Sequence, residues 1–214
     1  MHDTELEPLA RQLAEGLRGD HDAFCRELVR LLACGHPVTR EHPGTVLQMT
    51  AEQVAEVFAG LADLEVDPSG RIVGWGLTFI PTPHRFQVHG HTFYTWCALD
   101  ALTYPALLRL TARVESSCPV SGTEVSLSVT PTGVHDLTPA DAVVSIVIPG
   151  QGSSCDGDRG SFCTQSRFFR SKRDALMCQG AHPDARILCV EGAYRLGKLV
   201  ARYRYEDTTE HERT

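Results

Sequence analysis

Apolar side chains recur at helical spacing through the N-terminal part of the chain. This spacing predicts four helices, over 5–18, 21–34, 39–49 and 50–64. Thr50 and Gln53 form a capping-box pattern at the start of the fourth helix. The next segment, 65–80, has two β-rich runs around a Pro-Ser-Gly turn, which is typical of a hairpin. Helices followed by such a hairpin indicate a winged-helix-like module over about 20–80.

The pattern changes to short alternating runs after Pro81 and Pro83. A hairpin is predicted around His89 and Gly90. A helix is expected to begin near Trp96 and to end before Pro105, because a residue that precedes proline avoids the helical region. We predict further strands at 111–117, 124–131, 141–149, 161–169 and 186–191, and further helices at 171–180 and 191–204.

These elements predict an α+β protein with two domains. The first, over 1–82, is winged-helix-like and helical. The second, over 83–214, is an α+β domain with a mixed sheet. We expect the catalytic chemistry in the second domain.

Charge and hydropathy exclude several classes of protein. The formal net charge is −7, so binding to nucleic acid would require a local basic patch. The helix in the recognition position, 50–64, carries Glu52, Glu56 and Asp63 but no Lys or Arg. No apolar run approaches the length of a membrane span, and the acidic N-terminus is unlike a signal peptide. We therefore expect a cytoplasmic protein that binds neither nucleic acid nor membranes.

The chain contains eight cysteines and no CxxC pair. A reducing cytosol would keep these thiols free of disulfide bonds, and the lack of CxxC disfavours a zinc ribbon or a thioredoxin-type site. We expect four of them to be packing residues in helices and strands, namely Cys25, Cys34, Cys178 and Cys189.

The run FYTWCALDAL, 93–102, places Cys97 three residues before Asp100 among apolar side chains. The start of a helix is expected to lower the pKa of the Cys97 thiol, and apolar neighbours are expected to raise the pKa of the Asp100 carboxyl. The spacing alone also allows Cys97 as packing and Asp100 on the solvent side. A cysteine hydrolase would need a histidine beside Cys97. His84, His89 and His91 are close to Cys97 in sequence.

A longer match resembles the alkylmercury lyase, or organomercurial lyase, family. It covers about 20–205, and the segment GRIVGWGLTF, 70–79, is similar to the wing hairpin of that family. The matching motifs are Trp96-Cys97-Ala98-Leu99-Asp100, Pro105-Ala106-Leu107, Thr111-Ala112-Arg113-Val114, Cys118, the run AVVSIVIP at 142–149, and Phe162-Cys163.

The resemblance implies an organomercurial substrate and cleavage of its carbon–mercury bond by protonolysis. It implies that Cys97 and Cys163 bind mercury as thiolates, which soft metals prefer, and that Asp100 donates the proton. It further implies that Cys118 is structural, that no organic cofactor is needed, and that Hg(II) stays bound as product. Free low-molecular-weight thiols would then assist its release, with mercuric reductase as acceptor.

The sequence departs from the family pattern in two places. Thr164–Arg167 replace a more cysteine- and histidine-rich run, and the glycine-rich loop 150–160 is longer and contributes Cys155. Cys155 is either a relay for mercury or an ordinary exposed loop cysteine. Two other functions stay open at this point. One is a mercury-binding winged-helix regulator or sequestering protein without catalysis, and the other is a cysteine-dependent hydrolase.

Overall fold

The computed structural model describes residues 3–17, 19, 21–61, 63–147, 162–181 and 184–205. Its helices are α1 (Asp3–Leu17), α2 (Asp22–Leu32), α3 (Glu41–Val46), α4 (Ala51–Gly60), α5 (Ala98–Leu108), α6 (Lys172–Cys178) and α7 (Val190–Tyr205). Its strands are β1 (Glu65–Val66), β2 (Ile72–Trp75), β3 (Leu77–Thr78), β4 (His84–Val88), β5 (His91–Thr95), β6 (Ala112–Ser117), β7 (Glu124–Thr130), β8 (Gly133–Thr138), β9 (Val143–Ile146), β10 (Arg167–Phe169) and β11 (Arg186–Cys189). Two 3₁₀ turns span Cys163–Gln165 and Gln179–Ala181. The predicted α+β class and N-terminal helical module are confirmed.

The start of α4 forms the predicted capping box. Thr50 Oγ1 accepts a hydrogen bond from the Gln53 N–H at 3.3 Å, and the Thr50 N–H donates to Gln53 Oε1 at 2.8 Å. Two N–H groups that helical hydrogen bonding leaves unpaired are thereby satisfied. The cap fixes where α4 begins.

We expect Thr50→Ala to lower the free energy of unfolding by about 1 kcal/mol, because the Gln53 N–H loses its acceptor. The matched control is Thr45→Ala, whose exposed hydroxyl only donates back to the Glu41 carbonyl within α3. Chemical denaturation of the three proteins measures both effects. Equal losses in the two variants would contradict the capping role.

Eight strands form one sheet, in the order β1-β2-β3-β5-β4-β6-β7-β8. The sheet runs across the predicted division at residue 82, because β3 pairs with β5 through Leu77 opposite Thr95 and Thr78 opposite Tyr94. The division into 1–82 and 83–214 stays a prediction. The strand β3 is nevertheless hydrogen-bonded to β5, which leads directly to Cys97.

A second sheet has the order β10-β9-β11, and every strand pair between described residues is antiparallel. The expected mixed sheet is therefore wrong. Many of the large sheet's strands follow one another through short turns, and only antiparallel strands can be joined in this way.

Two local predictions are also wrong. The helix α5 continues through Pro105 and ends where Arg109 adopts a left-handed conformation (φ 54°). Seven of its residues, Ala98 to Pro105 apart from Asp100, are buried, so packing outweighs the local preference of proline. The predicted strand 161–169 is instead a 3₁₀ turn at Cys163 followed by the short strand β10.

The helix α5 lies at the centre of the protein, where it packs against both sheets and against α7. The helix α7 in turn packs along α1. Apolar side chains from all these elements join one large core. The start of α5 is consequently held from several sides, which fixes the position of the residues around Cys97.

The cysteines outside the site follow the packing prediction only in part. Cys25 is buried, and Cys118 is buried in a small second cluster, where its thiol donates to Asp174 Oδ2 at 3.4 Å. Cys34, Cys178 and Cys189 are exposed, so their assignment to packing is wrong. They lie at or just beyond the ends of their elements, where helical and strand periodicity no longer determine burial. Cys155 lies outside the described residues.

Candidate active site

Cys97 is the residue that caps the N-terminus of α5. Its backbone is extended (φ −146°, ψ 169°), and its Sγ accepts a hydrogen bond from the Asp100 N–H at 3.3 Å. The Thr95 hydroxyl donates to the Cys97 carbonyl at 2.9 Å. The thiol therefore takes the position that a Ser or Thr hydroxyl occupies at other helix starts.

The 3₁₀ turn brings Cys163 to the start of α5. The Ala98 N–H donates to the Ser166 carbonyl at 2.9 Å, which joins the first residue of α5 to the end of the turn. Within the turn, the Ser166 N–H donates to the Phe162 carbonyl at 3.1 Å. Ser166 is fully buried. These backbone bonds fix Cys163 next to Cys97, although the two cysteines are far apart in the sequence.

The side chains of Cys97, Asp100 and Cys163 converge. One ligand atom from each lies within 4.8 Å of the other two. Cys97 is completely buried, whereas Cys163 and Asp100 are partly exposed. Two sulfurs at this separation can share one soft metal ion, with a carboxyl group beside it.

Asp100 is a carboxyl group that titrates near neutrality. Burial raises its pKa to about 6, against the opposing effects of Cys97, of the positive charge of Arg204 and of Tyr104. Its Oδ2 is covered and has no hydrogen-bond partner among the residues that the structure describes. The raised pKa agrees with the expectation from the apolar sequence around Asp100.

The Cys97 thiol behaves differently from the sequence-based expectation. Its pKa is raised well above the ordinary value, first by burial and then by its hydrogen bond with Cys163 and by the negative charge of Asp100. The Asp100 N–H at the helix start lowers this pKa but does not offset burial. The predicted low thiol pKa is therefore wrong for the metal-free protein. Cys97 is a protonated thiol, and it needs a base to become a thiolate.

The structure adds groups that the sequence did not single out. Tyr104, four residues after Asp100 on α5, is one of the groups that lower the pKa of Asp100. Arg204, in the last turn of α7, lies 2.7 Å from Asp22 Oδ1 of α2, and both side chains are nearly buried. The spacing of four residues between Asp100 and Tyr104 was a usable signal. No local signal links Arg204 to Asp22.

His84 is a buried residue that packs in the core. Its Nδ1 lies 2.8 Å from Ser116 Oγ, and its ring packs edge-on against Phe168. Burial, followed by the positive charge of Arg167, lowers the pKa of His84 to about 4, so it is neutral at ordinary pH. His89 and His91 are exposed at the hairpin.

Trp96 directly precedes Cys97 in the chain. It packs edge-on against Trp75, with ring centroids 5.4 Å apart, and its Nε1 donates to Glu65 Oε1 at 3.2 Å. Trp96 and Tyr94 are both partly exposed.

Fold and site together define a protein in which two thiols lie beside a protonatable carboxyl, a set of ligand atoms that could hold a soft metal. Residues 77–202 match the family model of alkylmercury lyase, and residues 7–76 match that of the helix-turn-helix domain of alkylmercury lyase. The chain belongs to the alkylmercury lyase family, whose enzymes cleave the carbon–mercury bond of organomercurials.

Relatives support this assignment along most of the chain. The alkylmercury lyase of Streptomyces lividans is 42% identical over 201 residues, which are 92% of each protein. That of Pseudomonas putida is 41% identical over 204 residues, 93% of this chain and 95% of the relative. That of Bacillus cereus is 42% identical over 183 residues, 86% and 82% respectively. A crystal structure of the mercury-bound form of MerB2 has the same fold, with a TM-score of 0.75 and 22% identity over 94% of this chain and 98% of that one.

Proposed function

We propose that this lyase cleaves the carbon–mercury bond by protonolysis, with Cys97 and Cys163 as mercury ligands and Asp100 as the proton donor. The observation that carries the proposal is the convergence of these three side chains within 4.8 Å. Soft thiolates are the ligands that mercury selects, and the carboxyl lies where it can reach the carbon attached to the metal.

In the first step, the Cys97 thiol binds the mercury of R–Hg–X. Its proton passes to the Asp100 carboxylate, X⁻ leaves, and a Cys97–mercury bond forms. The raised pKa of Cys97 makes such a base necessary, and the pKa of Asp100, at about 6, leaves it mostly ionised at neutral pH. Asp100 thereby acquires the proton that it later donates.

In the second step, Cys163 binds the same mercury and loses its thiol proton to solvent. Two thiolates place electron density on the metal, which makes the bonded carbon more basic. Asp100 donates its proton to that carbon, the carbon–mercury bond breaks, and the hydrocarbon RH leaves. Because Oδ2 of Asp100 has no competing acceptor among the described residues, its proton is available to the substrate.

The product is Hg(II) held by two thiolates. No organic cofactor takes part in these steps, and free thiols would displace the metal by ligand exchange. We infer mercuric reductase as the acceptor and the cytoplasm as the compartment, since a reducing environment maintains free thiols. No helix in the described part of the chain is long and apolar enough to cross a membrane.

We expect phenylmercury and excess free thiol to yield benzene, with a kcat/KM that falls as the pH drops below about 6, near the pKa of Asp100. Below this pKa the carboxyl is protonated and cannot accept the proton of the Cys97 thiol. The value of kcat/KM is therefore lost on the acidic side of the profile. Gas chromatography of benzene at a series of pH values measures the profile. Asp141→Asn, which alters an exposed carboxyl, should leave it unchanged. Absence of benzene at every pH would contradict the proposed function.

Neither alternative function has a supporting contact in the described residues. A DNA-binding regulator would need a basic recognition surface, whereas α4 exposes Glu52 and Glu56 and contains no Lys or Arg. We infer that this module does not bind nucleic acid. A cysteine hydrolase would need a histidine at Cys97, whereas His84 is engaged with Ser116.

A further inference from the structure

Glu65 lies at the edge of the large sheet, where β1 pairs with β2. It is opposite Gly74 of β2, and Gly74 is in turn opposite Thr78 of β3. The three residues therefore form a row across three neighbouring strands. Side chains of directly opposed residues lie on the same face of a sheet, so the Glu65 carboxyl can reach across Gly74 to Thr78.

Gly74 makes this reach possible. A Cβ at Gly74 would overlap Glu65 Oε2 and would crowd the Thr78 side chain. Because glycine has no Cβ, the carboxyl lies close over β2 and its Oε2 accepts a hydrogen bond from the Thr78 hydroxyl. Thr78 Oγ1 itself accepts a hydrogen bond from the Ile80 N–H at 2.9 Å. One oxygen of Glu65 is thus bound to β3.

The other oxygen of Glu65 binds the side chain of Trp96. The Trp96 Nε1–H donates to Glu65 Oε1 at 3.2 Å, and the indole packs edge-on against Trp75 of β2 with ring centroids 5.4 Å apart. An indole N–H can only donate, whereas the two oxygens of a carboxyl can serve two donors at once. Glu65 therefore links β1 and β3 to the residue that directly precedes Cys97.

The backbone of Trp96 is held by the same strands. Its N–H donates to the carbonyl of Gly76, which connects β2 and β3, at 2.9 Å. The next residue, Cys97, is extended and caps α5, and it is completely buried. Close-packed interiors transmit small displacements. A movement of Trp96 would consequently displace the Cys97 sulfur.

We propose that Glu65 is a positioning residue, which holds the Trp96 indole and thereby keeps the Cys97 sulfur in place within the three-residue cluster of the active site. The inference rests on the proposed function, because it requires Cys97 to bind the mercury. It gives the wing strands a role in catalysis, although Glu65 does not belong to the cluster that would bind the metal.

The first test is a double-mutant cycle between Glu65→Ala, which removes the acceptor, and Trp96→Phe, which removes the donor and keeps an aromatic ring. Each change is expected to slow single-turnover release of benzene from phenylmercury by about 10–100-fold, because misplacement by about 1 Å can cost this much. The double variant should be no slower than the slower single variant, since both changes break one contact. Mass spectrometry should show phenylmercury still bound, because both sulfurs remain.

Two further variants separate this role from general damage to the fold. In Glu65→Gln, the amide oxygen can accept from the indole and the NH₂ group can donate to Thr78 Oγ1, so the rate should stay close to wild type. The matched control is Glu124→Ala, which removes an exposed carboxyl from β7 of the same sheet and should keep the wild-type rate. Losses that multiply in the double variant of the cycle would mean independent defects and would overturn the proposal.

A second readout does not depend on catalysis. The chain contains two tryptophans, so ¹⁵N-labelled protein gives two indole N–H signals, and the Trp96 signal is the one that Trp96→Phe lacks. We expect this signal to move in Glu65→Ala and to stay near its wild-type position in Glu65→Gln and Glu124→Ala. An unmoved signal in Glu65→Ala refutes the contact.

The two readouts together distinguish the inference from the proposed function. A moved indole signal in a Glu65→Ala protein that releases benzene at the wild-type rate refutes the positioning role and leaves the lyase mechanism intact. If the wild-type protein released no benzene, the proposed function would fail and the positioning role would fail with it, whatever the indole signal showed.

Discussion

Asp100→Asn is expected to lower the rate of carbon–mercury cleavage by about 10²–10⁴-fold, the usual contribution of a general acid. Asn has nearly the same shape, so the N-terminus of α5 and the hydrogen bond from its N–H to Cys97 Sγ should survive. The amide cannot accept the Cys97 proton or donate one to carbon. Single-turnover release of benzene from phenylmercury measures the loss.

Mercury binding distinguishes this result from a damaged fold. Asp100→Asn should still retain phenylmercury on its cysteines, which mass spectrometry of the intact protein detects. Asp141→Asn is the matched control and should cleave at the wild-type rate, because its carboxyl is exposed and outside the cluster. Undiminished turnover in Asp100→Asn would show that Asp100 is not the proton donor.

Cys97→Ser and Cys163→Ser are each expected to reduce turnover to near the uncatalysed rate. A hydroxyl is a hard ligand that binds mercury poorly, so one soft ligand is lost in each variant. The Cys97 change is also structurally mild. Ser is a preferred residue at a helix N-terminus and can accept the Asp100 N–H bond that Cys97 now accepts. Benzene release and bound mercury per protein measure the two effects.

The exposed thiols provide the controls. Cys34→Ser and Cys178→Ser alter cysteines that are exposed and outside the cluster, and both variants should keep full turnover. Circular dichroism of Cys97→Ser should show an intact helical signal. Full activity in either Cys97→Ser or Cys163→Ser would show that a single thiolate suffices, contrary to the proposal.

Local patterns predicted much of the fold. The apolar spacing of α2 and the Thr50–Gln53 cap of α4 are short-range features, and both are observed. Pro105 misled the prediction because α5 is buried on most sides, and tertiary packing outweighs a local preference. Strand directions could not be derived from periodicity, which is the same for parallel and antiparallel neighbours.

The site was only partly predictable for the same reason. Cys97 and Asp100 are close in sequence, so their proximity followed from helix geometry. Cys163 was assigned only through the family resemblance, since no spacing rule joins it to Cys97. The thiol pKa was wrongly predicted because the depth of Cys97 depends on elements that lie far along the chain. The pairing of Arg204 with Asp22, from α7 and α2, had no signal at all.

The hydrogen bond from the Ala98 N–H to the Ser166 carbonyl joins the start of α5, which carries Cys97, to the 3₁₀ turn that carries Cys163. A metal ion shared by Cys97 and Cys163 would form a second link between the same two segments. It would close a long loop of the chain, as a disulfide does. Cross-links of this kind restrict the unfolded chain and so favour the native state. Bound Hg(II) would therefore raise the free energy of unfolding of the enzyme that produced it. This added stability would be lost when competing thiols remove the metal.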